Sequence, residues 1–173
     1  MIKKSQLLYG ERKLPHVQIG GKIYYITFTT LNYAKLQNNN DLQSLKKIDR
    51  IKLNDNSKQI IMNAFKYWHN KRIKVHIICV MNDHVHSIIE PLKYAKGSYC
   101  DVSNILRNIK SYTSHEINKI MNSRGSLWEI ESWDRIIRDE DDFFSKWDYI
   151  INNPVEEGYC TRIEDYPYLW IGN

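Results

Sequence analysis

Residues 72–91 read RIKVHIICVMNDHVHSIIEP, two apolar runs joined by the polar turn Met81-Asn82-Asp83. In the first run Ile73, Val75, Ile77 and Cys79 fall at every second position, the period of a strand with one face on a core. The second run, HVHSIIE, resumes directly after the turn, so the stretch reads as a pair of antiparallel strands. Upstream, residues 22–30 (KIYYITFTT) are β-branched and aromatic, with Tyr24, Ile26 and Phe28 on one face and Tyr25, Thr27 and Thr29 on the other.

Helical spacing takes over between and beyond these strands. Residues 56–70 place Ile60, Ala64, Phe65 and Trp68 on one stripe, with Ser57 as the expected cap. Residues 101–122 do the same with Val102, Ile105, Ile109, Tyr112, Glu116 and Ile120. Residues 127–138 read as a loop and a strand containing Ile136 and Ile137. Residues 139–153 open with four acidic side chains, favourable at a helix N-terminus, and are expected to stop at Pro154. The polar stretch 37–57 is expected to be a loop with a helical turn around 42–48. Strand, helix, two strands, helix, strand, helix departs from alternating βα units. It predicts an α+β, ferredoxin-like or RRM-like antiparallel sheet with helices packed on one face, leaving the other face for a site and a nucleic-acid strand.

Composition narrows the class. A length of 173 residues suits one domain. We divide the chain into a basic N-terminal arm, residues 1–21, which carries Lys3, Lys4, Arg12 and Lys13, and a single domain over residues 22–173. Five Trp, twelve Tyr and four Phe supply large side chains for a core, which excludes a wholly disordered chain. No stretch approaches the roughly 20 apolar residues of a membrane span, and the start lacks the apolar run of a signal peptide. The expected location is therefore cytoplasmic and nucleoid-associated, with no membrane partner. Cys79, Cys100 and Cys160 lack CxxC spacing, which suits a reducing compartment and gives no zinc or disulfide framework. A formal charge of +5 and a pI near 9.0 favour a polyanionic partner.

Two local features carry chemistry. His84 and His86 are i and i+2 on a strand, so both imidazoles point the same way, with Cα atoms roughly 6.5–7 Å apart. Two neutral imidazoles with open positions suit a divalent cation that could polarise a phosphoryl oxygen; ordinary half-buried histidines are the bland alternative. Tyr149 and Asn153 are i and i+4 on one helical stripe, with Lys146 one turn earlier. The core-facing stripe of that helix runs instead through Phe143, Trp147, Ile150 and Ile151, so Tyr149 is not needed for packing.

The segment VMNDHVHSII resembles the His-hydrophobe-His motif of the single-tyrosine HUH transposases. The C-terminal run LWEIESWDRIIRDEDDFFSKWDYIINNPVEEGYCTRIEDYPYLW is similar to one insertion-sequence-like branch, the REP-associated tyrosine transposases. That branch has a Trp-containing strand, an Asp-x-x-Ile-Arg segment, a Tyr-Ile-x-x-Asn-Pro-Val-x-x-Gly helix end and an acidic-Tyr-Pro tail. RKLPHV followed by IYYITFTT also fits its opening. The resemblance implies that His84, His86 and Asn153 bind a metal, Mg²⁺ or Mn²⁺, and that Tyr149 is the nucleophile. Insertion-sequence relatives have Gln where this chain has Asn153, one methylene longer. Asn82-Asp83 stands where the family has Pro-Asn; Asp83 is read as a turn residue in preference to a partner that orients an imidazole. Tyr112 is the rival nucleophile and ranks below Tyr149, because Glu116 occupies its i+4 position; packing or base stacking suits it better.

The resemblance further implies a single-stranded DNA nickase and strand transferase that forms a 5′-phosphotyrosine link, acting next to hairpin or palindromic DNA. A phenol with a pKa near 10 is ionised in only about one molecule in a thousand at neutral pH, so activation is required. Lys146 is a candidate for favouring the phenolate. The extended C-terminal tail favours a monomer working in cis, with a homodimer as the alternative. The competing functional class is a catalytically silent single-stranded nucleic-acid-binding module, in which an RRM-like sheet stacks bases without chemistry. A metal-dependent hydrolase using water is a third class, distinguished by forming no covalent adduct with DNA.

Overall fold

The computed structural model describes residues 19–32 and 50–173. Most of the basic arm and the helical turn expected around 42–48 lie outside the described residues. The described elements are β1 (Tyr24–Thr29), α1 (Asp55–Trp68), β2 (Ile73–Val80), β3 (His84–Pro91), α2 (Val102–Ile120), β4 (Trp133–Ile136), α3 (Glu140–Glu156), a 3-10 turn (Ile163–Asp165) and β5 (Leu169–Ile171). The strands form one antiparallel sheet in the order β4-β1-β3-β2-β5. The expected α+β antiparallel fold is therefore the fold observed.

Each helix begins where a side chain satisfies a free N–H of its first turn. Asn54 accepts from the backbone N of Ser57 at 2.8 Å, Asp101 from Asn104 at 3.0 Å and Asp139 from Asp142 at 2.8 Å. Asn54, rather than Ser57, thus caps α1, because the helix starts one turn earlier than hydrophobic spacing alone reveals. Pro154 does not stop α3, which runs on to Glu156. The missing proline N–H matters little so close to the end, and the Pro154 carbonyl is taken by the backbone N of Tyr159 at 2.8 Å. Gly158, at φ +74°, then turns the chain away.

The alternation in β1 divides the core into two layers. Tyr24, Ile26 and Phe28 pack with Ile61 and Phe65 of α1, Ile105 and Ile109 of α2, and Trp128. Phe28 meets Trp128 edge-on at 4.7 Å between ring centroids, and the Trp128 indole N–H is satisfied by Thr113 Oγ1 at 2.9 Å. On the opposite face Tyr25, Ile77, Cys79 and Ile88 pack with Ile150 of α3, with Ile137 and with Tyr166. Two helices therefore cover one face and α3 lies across the other, which corrects the expectation that all helices share one face and leave the second open. The expected core stripe of α3 does face the sheet: Ile150 is fully buried, with Phe143, Trp147 and Ile151 partly buried beside it. Fully burying one such side chain stabilises the docking by about 1.5–3 kcal/mol.

β2 differs from its reading as a one-faced strand. Pairing with β3 passes from Val75↔Ile89 to Ile77↔Ile88, so His76 is an extra residue in β2, a β-bulge. Ile73 and Val75 consequently face α1 and α2, whereas Ile77 and Cys79 face α3. β5, which pairs with β2 through Leu169↔Cys79, extends the sheet by a strand that its three-residue length hides from periodicity. Among the described residues no helix is long and apolar enough to cross a membrane.

Candidate functional site

The site lies at the start of β3, on the face that carries α3. His86 pairs with Thr27 of β1 and Cys79 of β2, and Thr27 pairs in turn with Trp133 of β4. One row across the sheet therefore reads Trp133, Thr27, His86, Cys79. Strand alternation places His84 on the same face, and the two imidazole centroids stand 4.7 Å apart.

Hydrogen bonds leave each ring one nitrogen for other work. His86 Nδ1 lies 2.8 Å from Thr27 Oγ1 and 3.0 Å from the Tyr25 hydroxyl. A proton on Nδ1 donated to these oxygens leaves Nε2 with a bare lone pair. Burial, reinforced by neighbouring His84, lowers the His86 pKa to about 3, so the ring is neutral at physiological pH. His84 Nδ1 meets Asp83 Oδ1 at 2.7 Å. That bond, followed by the ammonium of Lys52, holds the Asp83 carboxyl far below the usual range despite the opposing effect of burial. Asp83 does occupy the turn, as its reading favours, and it also fixes the His84 ring through a carboxylate–imidazole bond, the orienting partnership ranked second.

α3 brings the remaining candidates. The Tyr149 ring stands 5.2 Å from that of His86 at an interplanar angle of 80°. It is 43% exposed, with one face open to solvent while it rests on the His86 imidazole. Asn153, one turn on, is 4% exposed. Its Oδ1 and His86 Nε2 are both buried and have no hydrogen-bond partner among the described residues. Buried polar atoms are rarely left bare, because each costs about 1–3 kcal/mol, so both of these atoms are available to a ligand. An imidazole nitrogen and an amide oxygen are also the donor types that suit a divalent cation. Among the described residues no three His, Cys, Asp or Glu side chains form a ready metal cluster, so such an ion would have to draw on the Asn153 amide.

Lys146 extends over the sheet, its Nζ 5.7 Å from the Tyr25 ring centroid. Tyr112 is not brought to the site. It belongs to α2, on the other face, where it is 55% exposed beside an apolar groove that also includes Tyr67 and Trp68. His76 sits at the bulge beside Glu90, and His115 is exposed beside Glu116, both away from the imidazole pair.

Sequence reasoning did not single out four residues found here. Tyr25 and Thr27 orient His86, and Lys52 supports Asp83. Glu157 brings Oε1 to 3.8 Å from His84 Nε2. The first two were detectable as polar residues repeating on one face of β1, and Glu157 continues the i, i+4 stripe of Tyr149 and Asn153. Lys52, distant in sequence and without a motif, gave no signal. The α3 platform itself is moored to β4: the Asp142 carboxylate receives Arg135 Nη1 at 2.9 Å and Nη2 at 2.5 Å, plus the backbone N of Arg138 at 3.0 Å.

Comparison with known proteins places the chain in a family. A Haemophilus influenzae protein named as a REP-associated tyrosine transposase is 25% identical over 96 residues, 53% of this chain and 54% of that protein. The chain thus spans about half the length of that relative. A solved structure described as a REP-associated tyrosine transposase bound to a REP hairpin superposes with a TM-score of 0.64 at 21% identity. The match covers 92% of this chain and 82% of the other, and at that identity it speaks for the fold. The family model "Transposase IS200 like" matches residues 36–136, more than half of the chain and the part that contains both site histidines. The chain therefore belongs to the IS200-like transposase family.

Proposed function

We propose that this transposase-family protein cuts and rejoins single-stranded DNA beside a hairpin, with Tyr149 as nucleophile and a divalent cation, Mg²⁺ or Mn²⁺, held by His84, His86 and Asn153. The observation that carries the reading is the exposed Tyr149 ring 5.2 Å from a buried imidazole whose Nε2 has no partner among the described residues. A bound cation would supply charge neutralisation at the phosphoryl oxygens.

The residues divide the remaining work. Tyr25 and Thr27 hold His86 in the tautomer that presents Nε2, and Asp83 does the same for His84. The Tyr149 oxygen attacks phosphorus and forms a new O–P bond as the bond to the 3′ oxygen breaks. The phenol proton departs, the 3′ oxygen gains a proton, and a 5′-phosphotyrosine link keeps the ester energy for rejoining. Lys146, on the same turn of α3, adds positive charge that favours the phenolate. Trp133, 56% exposed in the sheet row of His86, offers a flat surface for a base next to the reacting phosphate. The hairpin substrate is taken from the relative whose solved structure is described as holding one. A monomer acting in cis is the simplest assembly, since Tyr149 and the histidines meet within one chain.

The test is incubation with labelled hairpin oligonucleotides and Mn²⁺, followed by a denaturing gel. Wild type and Tyr112→Phe should give a protein–DNA band that Tyr149→Phe lacks. The reverse pattern would transfer the nucleophile to Tyr112. Binding with no covalent band in any variant would leave a silent binding module, and cleavage without a band a water-using hydrolase.

A further inference from the structure

We infer that Glu157 is a fourth ligand, a carboxylate that closes the cation site on the side of His84. The inference rests on the metal reading above and adds a residue to it. Its Oε1 stands 3.8 Å from His84 Nε2, the nitrogen left over once Nδ1 is engaged by Asp83. That gap is too long for a hydrogen bond. With bonds of about 2.1 Å, neighbouring ligands of one ion lie about 3 Å apart and opposite ones about 4.2 Å. The carboxylate must therefore rotate to complete a site that is not ready-made among the described residues.

Three further observations support the assignment. Glu157 follows Asn153 by four residues, as Asn153 follows Tyr149, so one face of the α3 terminus delivers nucleophile, amide and carboxylate in succession. The side chain is 39% exposed and hydrogen-bonded to the Tyr159 hydroxyl, a partner that holds it beside His84 and that it would exchange for an ion. The buried His86 Nε2 and Asn153 Oδ1 also have no partner among the described residues. Two imidazoles and an amide are a neutral set. Adding a carboxylate gives the site one negative charge and a hard oxygen donor, which strengthens binding of Mg²⁺ and Mn²⁺.

Mn²⁺ binding to the full chain without DNA tests this, read by the electron paramagnetic resonance of free Mn²⁺ and by calorimetry. Glu157→Gln should weaken binding at least about tenfold, a loss of the size seen when partners of a metal site are removed. Glu157→Asp should fall in between. Glu156→Gln, which removes an exposed charge one residue away, should match wild type. Wild-type affinity in Glu157→Gln, with binding lost in His86→Ala, would overturn the role of Glu157 and leave the three-residue site standing. Equal loss in Glu156→Gln would also overturn it, reducing the effect to general charge. Absence of binding in wild type, or full binding in His86→Ala, would sink the metal reading itself.

Discussion

Replacing Tyr25 by Phe and Thr27 by Val, singly and together, removes the two hydroxyls that meet His86 Nδ1 at 3.0 and 2.8 Å. An Nδ1–H is donated well to one acceptor at a time, so either hydroxyl covers for the loss of the other. Each single change should therefore alter Mn²⁺ affinity by less than about threefold. With both gone, Nδ1 belongs to a ring only 4% exposed, and leaving its proton bare costs about 1–3 kcal/mol. The ring can relieve that cost by shifting the proton to Nε2, the atom that must be bare to bind a cation. The double variant should then lose about 10–100-fold in affinity, equivalent to about 1.4–2.8 kcal/mol. Calorimetry at pH 7 is suitable because His86, with its pKa lowered to about 3, is neutral throughout. Effects that simply add, or a double variant with wild-type affinity, would refute the idea that these hydroxyls set the tautomer.

Two other perturbations probe the scaffold around the site. Asp142 has its carboxyl pKa lowered from 3.8 to about 2, first by Arg135 and then by the Arg138 backbone N–H. A depressed folded-state pKa gives stability that is present above the unfolded value and lost as pH falls through the folded one. Discounted for solvent screening, the contribution is about 1 kcal/mol at pH 7 and roughly half that at pH 3. Urea unfolding should show the gap between wild type and Asp142→Asn narrowing by that amount over this range; a gap independent of pH would exclude the linkage. Trp133→Ala should weaken binding of single-stranded DNA by about 1–3 kcal/mol while Trp133→Phe retains it, measured by fluorescence anisotropy. Equal affinity of the Ala variant and wild type would remove Trp133 from the binding surface.

The parts of this fold legible in the sequence are those written in a period. Tyr24, Ile26 and Phe28 alternate with Tyr25, Thr27 and Thr29, and that alone separates the helix-covered layer from the layer that holds His86. The spacing of Phe143, Trp147 and Ile150 correctly sets the inner stripe of α3, yet says nothing of which side of the sheet the stripe meets. That choice depends on the chain path after β4 and on the Arg135–Asp142 pair, a contact between elements. The cap of α1 was missed because Asn54 precedes the hydrophobic pattern, and β5 because three residues carry no period. At the site, the His84/His86 pair and the Tyr149/Asn153 stripe each follow from local geometry. Their meeting at 5.2 Å is a tertiary fact that only the resemblance to a family foreshadowed. The second role of Asp83 ranked below the turn for a related reason: a turn residue and a ring-orienting residue look alike until the neighbouring imidazole has a rotamer.

The single odd residue at His76 makes β2 answer to two masters. Before it, apolar side chains fill one storey of the protein; after it, the same alternation fills the other, and Cys79 becomes the neighbour of His86. Trading Ile for Val anywhere along this strand costs about 0.5–1.5 kcal/mol, a local loss. Deleting His76 alone would make the ladder regular and leave Ile77 and Cys79 beneath α3, whereas deleting Ile78 would turn Cys79 and Val80 to the opposite faces. Length is thus adjustable at the bulge and fixed beyond it.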